Sequence, residues 1–146
     1  MRKQLAKIIG ILVLVCAIGV SGAEKAADVS PVKVGAIFAV TGGASNLGMP
    51  EAKTAEMLVE KINKEGGVNG HKIELIVKDS GGKPENAISL AKQLIDEENV
   101  LAIIGPSTSG ETMQIKNICQ ESKTILISCA ADEVIMMQAG IPVKIK

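Results

Sequence analysis

Short apolar runs rich in branched residues recur along the chain, and each is followed by a longer segment whose apolar residues fall at helical spacing. Residues 32–40 read as a buried strand, broken by Thr41, Gly42 and Gly43. Pro50 suits the first turn of a helix that turns Ala55, Leu58, Val59 and Ile62 inward and stops at Gly66 and Gly67. After the turn Val68-Asn69-Gly70, residues 73–77 form a second strand ending near Asp79. Pro84 opens a helix with Ala87, Ile88, Ala91, Leu94 and Ile95 on one face, and residues 100–104 make a third strand ended by Gly105 and Pro106. Hydroxyls at Ser107, Thr108 and Ser109 offer caps to a third helix with Ile115, Ile118 and Cys119 inward, before a fourth strand at residues 124–127. Asp132 can cap a last helix, and residues 142–146 alternate like a fifth strand. Such alternation predicts one α/β domain: a Rossmann-like parallel sheet flanked by helices on both faces.

The first residues obey a different logic. Arg2, Lys3 and Lys7 precede an apolar run over residues 8–20, followed by Ser21-Gly22-Ala23. The run is about a dozen residues where a spanning helix needs about 20, and small residues sit just before Glu24. A secretory signal over residues 1–23, a polar lead over 24–31 and a folded domain over 32–146 are therefore expected. Two other readings stay open: an uncleaved anchor, and lipid attachment at Cys16, which the bulk of Val15 disfavours. Export would place the protein in the periplasm or another extracytoplasmic space, where Cys119 and Cys129 could pair. Two free, buried thiols are the preferred expectation, because Cys119 falls on the apolar side of its helix.

Charge and composition exclude several functions. The 16 basic and 16 acidic residues are mixed along the chain, so no basic face for nucleic acid is expected. Phe38 is the lone aromatic residue, which leaves nothing to stack a base or a sugar. His71 is the single histidine and no Cys-x-x-Cys occurs, so neither a metal site nor any other cofactor is expected. His71 also falls in a turn at the wrong end of the sheet for a Ser-His-Asp arrangement. No Gly-x-Ser-x-Gly, phosphate loop or Gly-x-Gly-x-x-Gly is present. Binding without covalent chemistry is the remaining class. In an open parallel sheet ligands gather beyond the carboxyl ends of the strands, here the loops at residues 41–49, 79–83, 105–110 and 128–133. A ligand carboxylate could sit at Ser107, Thr108 and Ser109 on the helix-terminal N–H groups; the alternative is that these hydroxyls only cap the helix.

The order of segments resembles the leucine/isoleucine/valine-binding proteins of ABC importers, within the type I periplasmic binding proteins. The residues that carry it include Val34-Gly35-Ala36-Ile37, Thr41-Gly42, Gly48 and Ile62-Asn63. They continue through Gly66-Gly67-Val68-Asn69-Gly70, residues 75–79, Pro84, residues 102–109 and Ile127-Ser128. The resemblance implies the substrate-binding component of an importer, not an enzyme, with an amino acid or amide as ligand and a membrane permease as partner. It places the ligand's carboxylate at Ser109, beside Ser107 and Thr108, and at Ala130, Ala131 and Asp132; Leu47 would line the side-chain pocket. Cys129 stands where Pro is usual, Asp132 where Thr is frequent, and Ser80 and Lys83 where acids are common. A carboxylate at 132 would repel a ligand carboxylate unless it caps its helix or takes the ligand's ammonium, or unless the ligand is not an ordinary amino acid.

The family has two lobes, and this chain stops near the first crossing between them. The expectation is a truncated first lobe that binds weakly or not at all alone, and that aggregates or pairs with a separately encoded second lobe. A micromolar ligand needs about 8 kcal/mol, and three charge-assisted contacts of roughly 1.5–3 kcal/mol each, weakened by exposure, fall short of it. A sensor or receptor domain of the same fold and an inactive fragment remain as alternatives.

Overall fold

The computed structural model describes residues 29–132 and Ile135. The export segment, most of the polar lead, the body of the last helix and the fifth strand lie outside the described residues. The chain runs β1 (Val32–Phe38), α1 (Ser45–Lys64), β2 (Ile73–Asp79), α2 (Pro84–Lys92), a π-helical turn (Gln93–Glu97), β3 (Ala102–Ile104), α3 (Ser109–Ser122) and β4 (Ile125–Ile127). The strands form one parallel sheet in the order β2-β1-β3-β4. Val32 lies opposite Ile73 and Phe38 opposite Asp79; Ala36 lies opposite Ile104, which in turn lies opposite Ile127.

The strand period of two divides the core into two layers. Ile37 and Ile103 point to the face covered by α2 and α3, where Ala87, Ala91, Leu94, Ile115 and Cys119 join them. Ala36 and Phe38 point to the other face and meet Ala52 of α1, with Ala55, Leu75, Val77 and Ile104 packed around them. This is the division right-handed crossovers require when the chain leaves β1 first toward β2 and then back past it toward β3.

Over the described residues, up to β4, the strands and helices follow the order expected from sequence, with differences at the ends and an unexpected π-helical turn after α2. α1 begins at Ser45, five residues before Pro50, so Pro50 lies inside the helix. The early start depends on Gly48, whose absent side chain lets the helix touch the backbone of Ala39. β1 stops at Phe38 because the Ala39 N–H turns to the Ser107 hydroxyl, 3.0 Å away. β3 begins two residues after Val100, whose N–H still bonds the Leu94 carbonyl at 3.1 Å. β4 begins after Thr124, whose N–H closes α3 on the Cys119 carbonyl at 2.9 Å.

Two polar contacts position the loops. The Asn63 amide clamps the start of β2, donating to the Ile73 carbonyl and accepting its N–H, both at 2.7 Å. At the opposite end, Asp79 accepts the Thr41 hydroxyl at 2.6 Å, the Thr41 N–H at 3.1 Å and the Gly81 N–H at 2.9 Å. The Thr41 hydroxyl is the main reason that the Asp79 carboxyl lies below its ordinary pKa of 3.8; backbone N–H groups act in the same direction, against partial desolvation.

A Gly48→Ala variant is expected to lose about 1–3 kcal/mol of stability from the collision of its Cβ with the backbone of Ala39, read as a lower urea midpoint. A Thr41→Val variant tests the carboxylate. A lowered folded-state pKa gives stability that is full above the unfolded pKa and is lost as pH falls through the folded one. Removing the hydroxyl should therefore separate wild type and variant at pH 7 and bring them together under strong acid; an equal gap at both pH values would contradict the assignment.

Candidate functional site

β1 is the strand at which the order of the sheet reverses: β2 lies on one side of it and β3 on the other. In open parallel sheets such a switch point, beyond the carboxyl ends of the strands, is where a ligand crevice forms. At this one the packing is tight. Gly105 adopts φ +94°, precedes a cis bond to Pro106, and packs its Cα so close to the Ile37 carbonyl that a Cβ would collide with it.

The three neighbouring hydroxyls do three different things. Ser107 is buried; its Oγ accepts the Ala39 N–H at 3.0 Å and donates to Glu51 Oε2 in α1. It therefore ties β1, α1 and the loop after β3 together. Thr108 is the N-cap of α3: its Oγ1 accepts the Glu111 N–H at 3.4 Å and donates to the Glu111 carboxylate at 2.5 Å. Glu111 is fully buried, and its other carboxylate oxygen has no hydrogen-bond partner among the described residues. Ser109, the first residue of α3, is half-buried, and its hydroxyl makes no hydrogen bond among the described residues.

The loop after β4 closes the crevice from the side. The Ser128 hydroxyl pairs with the Thr112 hydroxyl at 2.8 Å and accepts the Ala130 N–H at 3.1 Å. The Cys129 N–H reaches the Pro106 carbonyl at 3.3 Å. Ala130 is half-buried, while Ala131 and Asp132 are exposed. The Ile135 N–H bonds the Asp132 carbonyl at 3.1 Å, as in the first turn of a helix. Leu47 stands in the first turn of α1, 48% exposed.

Between α1 and the sheet is an open groove of about 390 Å³ lined by Phe38, Pro50, Glu51, Thr54, Ala55, Leu58, Ile104 and Cys129. None of the seven residues expected to bind ligand lines it; Ser107 reaches it only through Glu51. The groove was missed from sequence: its helix wall is formed by residues 51, 54, 55 and 58, and Leu58, expected to turn inward, is 48% exposed.

Both cysteines among the described residues, Cys119 and Cys129, are free thiols. Cys119 is buried, and desolvation pushes its thiol up to about 11. Cys129 corrects the expectation of two buried thiols: the residue is exposed, at the rim of the groove, where no element of the described fold covers the end of β4. Partial enclosure of its sulfur raises the thiol pKa, the negative charge of Glu51 raises it further, and the Gly105 N–H opposes both. Among the described residues no three metal-ligating side chains converge, and no helix is long and apolar enough to cross a membrane.

Comparison with known proteins agrees with this architecture. The Leu/Ile/Val-binding protein homolog 7 of Brucella abortus is 34% identical over 106 residues, 73% of this chain and 26% of its own length. The leucine-, isoleucine-, valine-, threonine- and alanine-binding protein of Pseudomonas aeruginosa is 26% identical over 131 residues, 90% of this chain and 34% of that protein. The crystal structure of the branched-chain amino acid transporter substrate-binding protein LivJ of Streptococcus pneumoniae, in complex with isoleucine, superposes with a TM-score of 0.70. It is 30% identical, and the match covers 74% of this chain and 31% of that one. A solute-binding protein of an ABC transporter from Rhodopseudomonas palustris, in complex with 3,4-dihydroxybenzoic acid, matches with a TM-score of 0.66 and 31% identity over 74% of this chain and 30% of that one. The chain thus spans about a third or less of the length of these relatives, which are binding proteins and not enzymes. Residues 31–138 match the periplasmic binding protein family along most of the chain, and the chain belongs to that family.

Proposed function

We propose that this chain supplies the first lobe of an extracytoplasmic substrate-binding component of an ABC importer for branched-chain or related amino acids. Residues 1–23 would direct export, and residues 32–146 would form the lobe. The observation that carries the reading is the unengaged Ser109 hydroxyl at the N-terminus of α3, on the crevice where the sheet reverses. A ligand carboxylate placed there would meet that hydroxyl, the N–H groups of Ser109 and Gly110 and the positive end of the helix dipole. Ser107 and Thr108 build the loop and are spent on Ala39, Glu51 and Glu111, so their part is to position. Ala131 and Asp132 would border the ligand from the loop after β4, where the Ala130 N–H is already held by Ser128. Leu47 would border its side chain from α1.

No cofactor enters this function, because the work is binding. A second lobe would close over the ligand, from the same polypeptide or a separately encoded one, and a membrane permease would read the closed form. The dihydroxybenzoate held by the Rhodopseudomonas relative favours a second reading for the ligand, an aromatic acid that shares the carboxylate but lacks the ammonium.

Titration calorimetry of the purified chain with leucine, isoleucine, valine, 3,4-dihydroxybenzoate and a neutral amide tests both readings, beside a Ser109→Ala variant. A half-site with two or three exposed charge-assisted contacts should give about 4 kcal/mol, a millimolar dissociation constant. The carboxylates should bind at that level, weaker in the variant, and the amide should not. Micromolar binding indifferent to Ser109→Ala would contradict the assignment; binding of dihydroxybenzoate alone would select the second reading.

A further inference from the structure

Ahead of β2 the chain makes a turn that is open to covalent chemistry. Val68 and His71 pair as an isolated antiparallel bridge: the Val68 N–H reaches the His71 carbonyl at 2.8 Å and the His71 N–H the Val68 carbonyl at 2.9 Å. Between them Asn69 (φ +51°) and Gly70 (φ +85°) form the turn, with the positive φ at both positions that a type I′ hairpin requires. Both residues are exposed. The Asn69 side chain makes no hydrogen bond and the Gly70 N–H donates none among the described residues. A Cβ built on Gly70 would meet nothing within 4 Å, so no neighbouring segment covers the turn on that side.

These conditions suit attack by a backbone amide on the side chain before it. The Gly70 nitrogen is the nucleophile and Asn69 Cγ the electrophile: the N–Cγ bond forms and the Cγ–Nδ2 bond breaks. The proton lost by the Gly70 nitrogen is made up on the departing amide, which leaves as ammonia. The product is a succinimide ring; water adds to either of its carbonyls and opens it to aspartate or isoaspartate. Glycine permits the step, because a Cβ at position 70 would crowd the closing ring. Ring closure takes Asn69 out of its turn conformation, and an exposed hairpin held by one pair of hydrogen bonds opens at little free energy. The other asparagines lack this combination. Asn46 lies in α1 before Leu47, and Asn117 in α3 before Ile118. Asn63 spends its amide on both polar groups of Ile73. Asn86 donates to the Ser80 carbonyl at 2.9 Å, and Asn99 to the Glu97 carbonyl at 3.4 Å, ahead of the branched Val100. We infer that Asn69 is a site of spontaneous deamidation in the folded chain, with the Gly70 amide and water as its reactants, and that the isoaspartate product opens the turn. Isoaspartate routes the main chain through an extra methylene, so Val68 and His71 no longer face each other and their pair of hydrogen bonds is lost. The turn precedes β2, away from Ser109 beyond the carboxyl end of β3, so the inference makes no use of the importer reading.

Mass-spectrometric peptide mapping of the full chain during incubation at mildly alkaline pH, beside a sample unfolded in urea, tests the site. The peptide carrying residue 69 should gain the mass of an amide-to-acid conversion, at a rate within about tenfold of the unfolded sample, since the exposed turn opens readily. Peptides carrying the other asparagines should convert more slowly. A protein carboxyl methyltransferase specific for isoaspartate should label the same peptide, and the Val68 and His71 amides of the converted fraction should lose protection from hydrogen exchange. Asn69→Gly, which keeps the positive φ and removes the side-chain amide, should abolish the mass gain. Conversion in urea alone, faster conversion at another asparagine, or a mass gain that persists in Asn69→Gly would each overturn the inference. Unchanged protection of Val68 and His71 in the isoaspartate fraction would overturn the opening of the turn.

Discussion

The site depends on one hydroxyl. Where β1 ends, the Ala39 N–H has left the sheet and is fully buried, so it must find an acceptor or forfeit roughly 1–3 kcal/mol. Ser107 supplies it, and by donating its own hydroxyl hydrogen bond to Glu51 fixes the N-terminal half of α1 to the same point. The end of the first strand, the first helix and the loop after the third strand are thereby locked at the switch point of the sheet. The close approaches of Gly48 to Ala39 and of Gly105 to Ile37 let that junction be tight enough for the hydroxyl to reach. Ser109 then stands on a rigid corner of the crevice, with its hydroxyl uncommitted.

Much of the fold was legible in the sequence because the information is local. Apolar residues at period two and at helical period mark strands and helices without reference to the rest of the molecule, and their alternation leaves the parallel sheet as the consistent solution. What escaped is set by contacts between distant segments. The start of α1 at Ser45 is invisible in a stretch of small and polar residues, since it follows from the packing of Gly48 on Ala39. The three hydroxyls at 107–109 look equivalent in sequence, and only the fold distinguishes the one that holds Ala39 and Glu51, the one that caps α3 and the one left over. Glu51 was overlooked for a related reason: a charged residue on a helix is ordinarily a solvated one, and its meaning comes from the buried Ser107 opposite.

At the N-terminus of α3 the backbone offers positive partial charge, and Glu51 of α1 is tied to the neighbouring loop through Ser107. Family membership bears on the fold, in a chain that aligns with about a third or less of its relatives' length. The proposed role depends on neither acid–base nor nucleophilic chemistry, in keeping with relatives that are binding proteins.

The central claim is that a ligand carboxylate is received at the N-terminus of α3. Backbone amide NMR of the chain during an isoleucine titration tests it most directly, because the amides of Ser109 and Gly110 report on that turn alone. The account predicts that the largest shifts fall on these two residues, with smaller ones in the loops after β1 and β4. Shifts concentrated at the other end of the sheet, around residues 66–72, with Ser109 and Gly110 unmoved would contradict it.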